Sequence, residues 1–265
     1  MNELFIVGDV AGRLEEMESL LASVPKEINI ICVGDVIDKG PNSKGVLDYI
    51  IEHDVQLVLG NHEILLIKSL EEIESSQSLS DLQYTNLWLE SRGIDTILSY
   101  HPKANLMDKP LATLKEFKDR FLRSGHLHFL ISSPIVIYSP GLIISHSSAP
   151  CDWALQLIHS HNLEDDAVAI GLHPTSGEAW LQSSSGRQDI SLLHLNLNHF
   201  VSYKKKPKEL SQNLHIFGHN GRWGLRKFRN EQGKIYGISI DTSSKKRLTG
   251  IYWPSLDTAK VKNIS

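Results

Sequence analysis

Two cysteines in 265 residues leave nothing from which to build a disulfide framework. Cys32 falls inside an apolar run and reads as a small buried residue rather than a reactive thiol. Long hydrophobic runs are also missing, and no stretch approaches the roughly 20 residues that cross a bilayer. Ahead of the first apolar run, Met1-Asn2-Glu3 offers no basic region, so no secretory leader is expected. An excess of positive charge is lacking too. The chain has 27 Lys and Arg against 31 Asp and Glu, a formal net charge of −4, which argues against a general nucleic-acid surface. What these absences leave is a globular chain in a reducing, cytoplasmic setting, with no membrane and no nucleic-acid polymer as partner. Its 41% hydrophobic and 22% charged residues are ordinary for that class.

Three short stretches stand out from this background. Gly8-Asp9-Val10-Ala11-Gly12, Gly34-Asp35-Val36-Ile37-Asp38-Lys39-Gly40-Pro41 and Gly60-Asn61-His62-Glu63 each follow an apolar run that reads as a strand, at 4–7, 28–33 and 55–59. Asp9, Asp35 and Asn61 fall 26 residues apart. Between the first two, Leu14, Met17, Leu21 and Val24 recur at helical spacing. Next, Asn42 or Ser43 can cap a helix that buries Val46, Leu47, Ile50 and Ile51. A third helix is expected to open at Glu63. Parallel strands joined by crossover helices bring their C-terminal ends to one edge of a sheet, where ligands bind. Two carboxylates, an amide and an imidazole are therefore expected on one rim. Such a donor set suits Mn, Mg, Fe or Zn.

These stretches resemble the signature of the calcineurin-like metallophosphoesterases, GDxHG, GDxVDRG and GNHE. They are most similar to the branch that holds the phosphoprotein phosphatases of bacteria and phages and the symmetrical bis(nucleosyl)tetraphosphatases. The resemblance implies an α/β fold, a β-sandwich of two mixed sheets flanked by helices. It implies one domain over 1–265, with a helical insert at about 70–130 and a less readable one at about 150–212. Two divalent metal ions are implied, Mn²⁺ first, with Fe, Zn or Mg open. Asp35 would bridge them, Asp9 would hold the first, and Asn61 would hold the second through its amide oxygen. His146, in Ile144-Ser145-His146-Ser147, and His219, in Phe217-Gly218-His219-Asn220, would complete the second.

A metal-bound hydroxide would attack phosphorus in line, with Lys39 and Asn61 binding the phosphate. His62, oriented and charged by Asp38, would protonate the leaving oxygen. The implied activity is phosphomonoester hydrolysis, on serine, threonine or tyrosine of a phosphoprotein or on a phosphorylated small molecule. Two alternatives are hydrolysis of dinucleoside polyphosphates and a phosphatase-fold binding module without turnover.

Three positions depart from the family pattern. Ala11 stands where GDxHG carries a metal-ligating histidine, so the first metal site should weaken. Lys39 replaces an arginine, exchanging a planar fork for a point charge. The second phosphate-binding arginine is missing: Trp180-Leu181-Gln182 reads as a degenerate W.R stretch, and Arg187, Arg222 or Arg226 are left as substitutes.

The rest of the chain is read more coarsely. Trp88-Leu89, Gly93, Thr96, Ser99 and Tyr100 resemble a WL..GG..T..SY stretch, with Arg92 in place of one glycine. They are expected to cover the sheet edge, or to wall the cleft. His126 and His128 are read as structural. A β-hairpin over 135–145 is expected to deliver His146. Ser183–Gly186 reads as a break, and the basic run at 204–208 as a solvated loop without a binding role. Strands are expected at 215–217, 235–240 and 248–253, the last two closing as a hairpin that resembles the family's "DTG…LT" element.

Overall fold

The βα repeats fold as their periodicity dictates. A computed structural model describes residues 3–149, 151–173, 177–190, 196–210, 212–243 and 247–262. Strands β1 (Leu4–Val7), β2 (Asn29–Cys32) and β3 (Gln56–Leu57) lie parallel and adjacent. Helices α1 (Leu14–Leu21) and α2 (Ser43–Glu52) are the crossovers, and α3 (Asn61–Ser75) leaves the third strand. Asn42 caps α2 by accepting from the Gly45 N–H at 2.9 Å. Helix α3 opens at Asn61 rather than at Glu63. Glu63 sits in its first turn and reaches back to accept from the Gly60 N–H at 2.8 Å, which fixes the start two residues earlier.

Side chains alternate across this sheet as the pleat requires. Phe5, Val7, Cys32 and Leu57 join the large core beneath the helices. Ile6, Ile31, Val33 and Val58 join a second core with Ile144, Ile216 and Ile238 of the other sheet. Helices α4 (Gln83–Trp88), α5 (Ile94–Tyr100), α6 (Pro110–Arg123) and α7 (His126–Ser132) pack over α2 and α3. Between α4 and α5 the chain kinks at Arg92, whose φ is 76°. This is the position where the sequence comparison expected glycine, and the left-handed backbone is the reason.

The second sheet has eight strands. Their spatial order is β10 (Arg226–Arg229), β11 (Ile235–Ser239), β9 (Leu214–Phe217), β5 (Leu142–Ser145), β4 (Val136–Ser139), β6 (Val168–Leu172), β7 (Ala179–Ser183) and β8 (Gly186–Ile190). Helices α8 (Asp152–Ser160) and α9 (Leu197–Val201) belong to the same stretch of chain. The Ser183–Gly186 segment is the turn of the β7–β8 hairpin, so it extends the sheet instead of interrupting it. Strand β8 is exposed along most of its length and has no apolar alternation to announce it.

The closing hairpin does not form. Strand β11 pairs with β9 and β10 in the large sheet, whereas β12 (Arg247–Trp253) pairs with β1 and with β13 (Thr258–Lys262) in the small one. The connection between them therefore steps from one sheet to the other. Because β5, β9 and β11 run parallel to one another, their C-terminal ends share one edge. That edge meets the one where β1, β2 and β3 end. A Cβ on Gly8 would come within 2.4 Å of the Ile240 carbonyl oxygen. Only glycine allows the two sheets to approach so closely there.

Candidate metal centre and active site

The six strand ends carry Asp9, Asp35, Asn61, His146, His219 and Asp241. Asp35 lies at the centre. Its Oδ1 is 3.2 Å from His146 Nε2, and its Oδ2 is 3.6 Å from His62 Nε2 and 3.7 Å from Lys39 Nζ. Its backbone N–H donates to Glu63 Oε2 at 2.9 Å, while the Val36 N–H donates to Glu63 Oε1 at the same distance. Buried Glu63 thus fastens the Asp35 loop to the start of α3. Burial and the nearby Asp35 charge push its carboxyl up to about 7. Asp9 Oδ1 accepts the backbone N–H of His219 at 3.1 Å, which ties the first strand end of one sheet to that of the other. Ala11, Asp35, Asp38, Lys39 and His219 all have positive φ, between 49° and 66°. Left-handed backbone at non-glycine residues costs about 1–3 kcal/mol each, and its concentration on one edge marks a functional site.

The donor atoms around Asp35 have the character of a cation site. His146 Nδ1 lies 2.7 Å from the Val33 carbonyl, which can only accept, so the ring proton is on Nδ1. Burial holds this imidazole below its ordinary pKa, so Nε2 presents a lone pair. Within 3.0–3.2 Å of it stand Asn61 Oδ1, His219 Nδ1 and Asp35 Oδ1. His219 is pushed down to about 3 by burial and by His146. The lone pairs of His146 Nε2, Asn61 Oδ1 and Asp35 Oδ1, crowded this closely, repel one another unless a positive ion sits among them. The ligand atoms of Asp35, His146 and His219 all lie within 4.8 Å of one another. The residues therefore fit a divalent ion, with nitrogen and oxygen donors that suit Mn, Fe or Zn.

The electrostatics divide the carboxylates. Burial pushes Asp35 up, but His146, His62 and Lys39 outweigh it and hold Asp35 below the usual carboxylate range. Burial, Asp241 and Asp35 together push Asp9 well above it. His62 Nδ1 donates to Asp38 Oδ2 at 2.6 Å. Burial lowers the His62 pKa, yet Asp35 and the bond to Asp38 reverse this, and the net shift is upward. Asp38 is itself held from three sides. Trp88 Nε1 donates to Oδ2 at 2.9 Å, Thr96 Oγ1 donates to Oδ1 at 2.5 Å, and the Asp38 N–H reaches Ser43 Oγ at 3.0 Å.

A cleft of about 610 Å³ opens over this edge. Its lining includes Ala11, Lys39, Lys204, His219, Arg222 and Asp241. Lys204 and Arg222 are exposed at its rim. Of the three substitute arginines, Arg222 alone lines the cleft. Arg187 stacks over Trp180, 4.3 Å from its ring centroid, and lines a separate cavity with Gln182; Arg226 lies over Phe228. The degenerate W.R stretch is thus remote from the metal cluster, because β7 sits near the far edge of the large sheet. The basic run, expected to carry no binding role, delivers Lys204 to the cleft.

Sequence reading missed Glu63 as the anchor of the Asp35 loop, although its place in the first turn of α3 was a signal. It also missed Trp88 and Thr96 as the partners of Asp38, and it read Asp241 only as part of the closing hairpin, not as a residue of the site. His126 is buried between Tyr100 and Asp48, accounted for by packing and hydrogen bonds.

The chain belongs to the calcineurin-like phosphoesterase family, whose model matches residues 4–223. It is a family of metal-dependent hydrolases of phosphate esters. The chain is 23% identical over 282 aligned positions to a symmetrical bis(5'-nucleosyl)-tetraphosphatase of Wigglesworthia glossinidia brevipalpis, covering 98% of both chains. It is also 29% identical over 128 residues to a zinc-dependent endopolyphosphatase of Saccharomyces cerevisiae. That match spans 46% of this chain and only 36% of the yeast protein. Among solved structures, one assigned as a diadenosine tetraphosphatase superposes with a TM-score of 0.53 at 18% identity, covering 100% of this chain and 95% of the other.

Proposed function

We propose that this chain is a metal-dependent phosphoester hydrolase in which Asp9, Asp35, Asn61, His146 and His219 hold divalent ions and His62 is the general acid. The observation that carries this reading is the set of lone pairs converging on Asp35, 3.6 Å from the imidazole that Asp38 orients. Bound divalent ions supply Lewis acidity to the phosphate oxygens and a low-pKa water as nucleophile. The chain's own residues do the rest. Lys39 steadies charge on the phosphoryl oxygens, Asn61 supports their placement, and His62 Nε2 delivers a proton to the leaving oxygen. The Asp38 carboxylate, fixed by Trp88 and Thr96, keeps the proton-bearing Nδ1 of His62 turned away from the cleft and supports the imidazolium.

Phosphomonoesters, such as phosphorylated serine, threonine or tyrosine side chains, are the first substrate reading, with Mn²⁺ the metal of choice. Dinucleoside polyphosphates are the second, and the exposed Lys204 and Arg222 favour them, since a phosphate chain crossing the rim would meet both cations. The test is initial-rate hydrolysis by metal-stripped protein titrated with Mn²⁺. p-Nitrophenyl phosphate, a phosphoserine peptide and diadenosine tetraphosphate are compared at equal concentration. Saturable turnover of the first two supports the monoesterase. Release of ADP from the third as the preferred reaction supports the alternative. No turnover of any substrate with Mn²⁺ bound would leave a binding module.

A further inference from the structure

The position where the family pattern places a histidine is Ala11, whose methyl group lines the floor of the cleft. Asp241, just past the end of β11, lines the same cleft. The strand runs parallel to β9, so Asp241 emerges on the same edge as His219. The preceding carbonyl, that of Ile240, is pressed against Gly8, next to Asp9. Asp241 is only 2% exposed, yet it lines the cleft. Its Oδ1 accepts from the Ser243 N–H at 2.9 Å and from Ser243 Oγ at 2.6 Å. Among the described residues its Oδ2 has no hydrogen bond, and no ammonium or guanidinium lies within ion-pair distance of it. Asp241 is thus a nearly buried carboxylate on the lining of the cleft, and a charge placed there calls for a cation beside it. Ser243 fixes the orientation of the carboxylate, as the partners of metal ligands do. Carboxylate oxygen is a donor that hard ions accept readily in place of imidazole.

We propose that Asp241, which lines the same cleft as Ala11, supplies the carboxylate that completes the ion site at Asp9 and Asp35. This rests on the metal-binding reading of the preceding subsection. It changes what Ala11 means: the first ion is held by three carboxylates instead of two carboxylates and a histidine. Hard ions such as Mn²⁺ and Mg²⁺ are then favoured there over Zn²⁺.

The experiment counts ions rather than turnover. Apo protein is titrated calorimetrically with Mn²⁺ for the wild type, Asp241→Asn, Ala11→His and the double variant. The melting temperature of each apo form is recorded first. The expected result is two ions in the wild type, with the weaker site in Asp241→Asn lowered roughly 10- to 100-fold in affinity. The tighter site should be unchanged, and the weaker one should be recovered in the double variant. Two ions of unaltered affinity in Asp241→Asn would overturn the proposal while leaving the metal centre standing. A wild type that binds one ion overturns it as well. A wild type that binds none overturns the metal-binding reading beneath it. Should Asp241→Asn fail to fold, Asp241→Glu is titrated by the same criterion, since it keeps the charge and moves the oxygens by one methylene.

Discussion

At the scale of the residue, the centre depends on which atoms own protons. His146 gives its proton to a carbonyl and keeps a lone pair for a cation, whereas His62 is held by carboxylates that favour its charged form. Two imidazoles a few ångströms apart are thus tuned in opposite directions. Replacing His62 with Asn should lower kcat roughly 10²- to 10⁴-fold, the usual contribution of a positioned acid, with Mn²⁺ content unchanged. Metal analysis beside steady-state rates checks this, and equal turnover in the variant removes His62 from the role. Much of this was legible in the chain. Asp9, Asp35, Asp38, Asn61, His62, His146 and His219 could be named because each stands in a short motif behind an apolar run. Asp241 also follows such a run. Its motif, however, was read as part of a hairpin rather than as a ligand, and only its burial on the lining of the cleft draws attention to it.

At the scale of the element, glycines decide how closely strand ends converge. A Cβ on Gly218 would sit 2.1 Å from Asp9 Oδ1. Gly218→Ala should therefore displace the Asp9 carboxylate and weaken Mn²⁺ binding at the weaker site by at least about tenfold, comparable to disturbing a ligand's support. Calorimetric titration of this variant decides the point, and an unchanged affinity would show that Asp9 does not hold that ion.

Helix α7 offers a second prediction, away from the centre. His126 Nε2 donates to Asp48 and, in the neutral ring, Nδ1 accepts from the Tyr100 hydroxyl, with Lys44 nearby. Burial lowers its pKa below 6.5, against the pull of Asp48. The unfolded chain then binds the proton more readily than the folded one. The contribution of neutral His126 is complete above pH 6.5 and is lost as pH falls through the lower, folded value. Melting temperatures measured from pH 8 to pH 5 should fall less steeply for His126→Gln than for the wild type. Parallel curves would refute the assignment. Element boundaries were the least legible part of the chain. Strands β8 and β10 are edge strands with mostly exposed side chains, so no buried face imposes the alternation that sequence reading depends on.

At the scale of the whole molecule, the two sheets share one apolar core but join at their functional edge through charged and polar groups. Like charges at that seam should make the fold respond to metal. At a hundredfold excess of Mn²⁺ over Kd, binding to the native state alone contributes about 2.7 kcal/mol per site. For a chain of this size that raises Tm by roughly 5–10 °C. EDTA should reverse the shift without loss of helical circular dichroism, because the apolar cores do not depend on the ion. A Tm indifferent to Mn²⁺ would mean that no ion binds the native centre.

By itself the sequence determined the parallel βα repeats, the family and the polar residues at the strand ends. Apolar periodicity and motif spacing are local properties of a chain. Three things were decided only by tertiary structure. The two closing strands pair in different sheets instead of with each other. The degenerate W.R stretch lies remote from the metal cluster, while Lys204 and Arg222 reach the cleft. Asp241 and Ala11 come to line one cleft. Each of these depends on which strands become neighbours, and neighbourhood is set by packing two sheets face to face, information that no short window of residues contains.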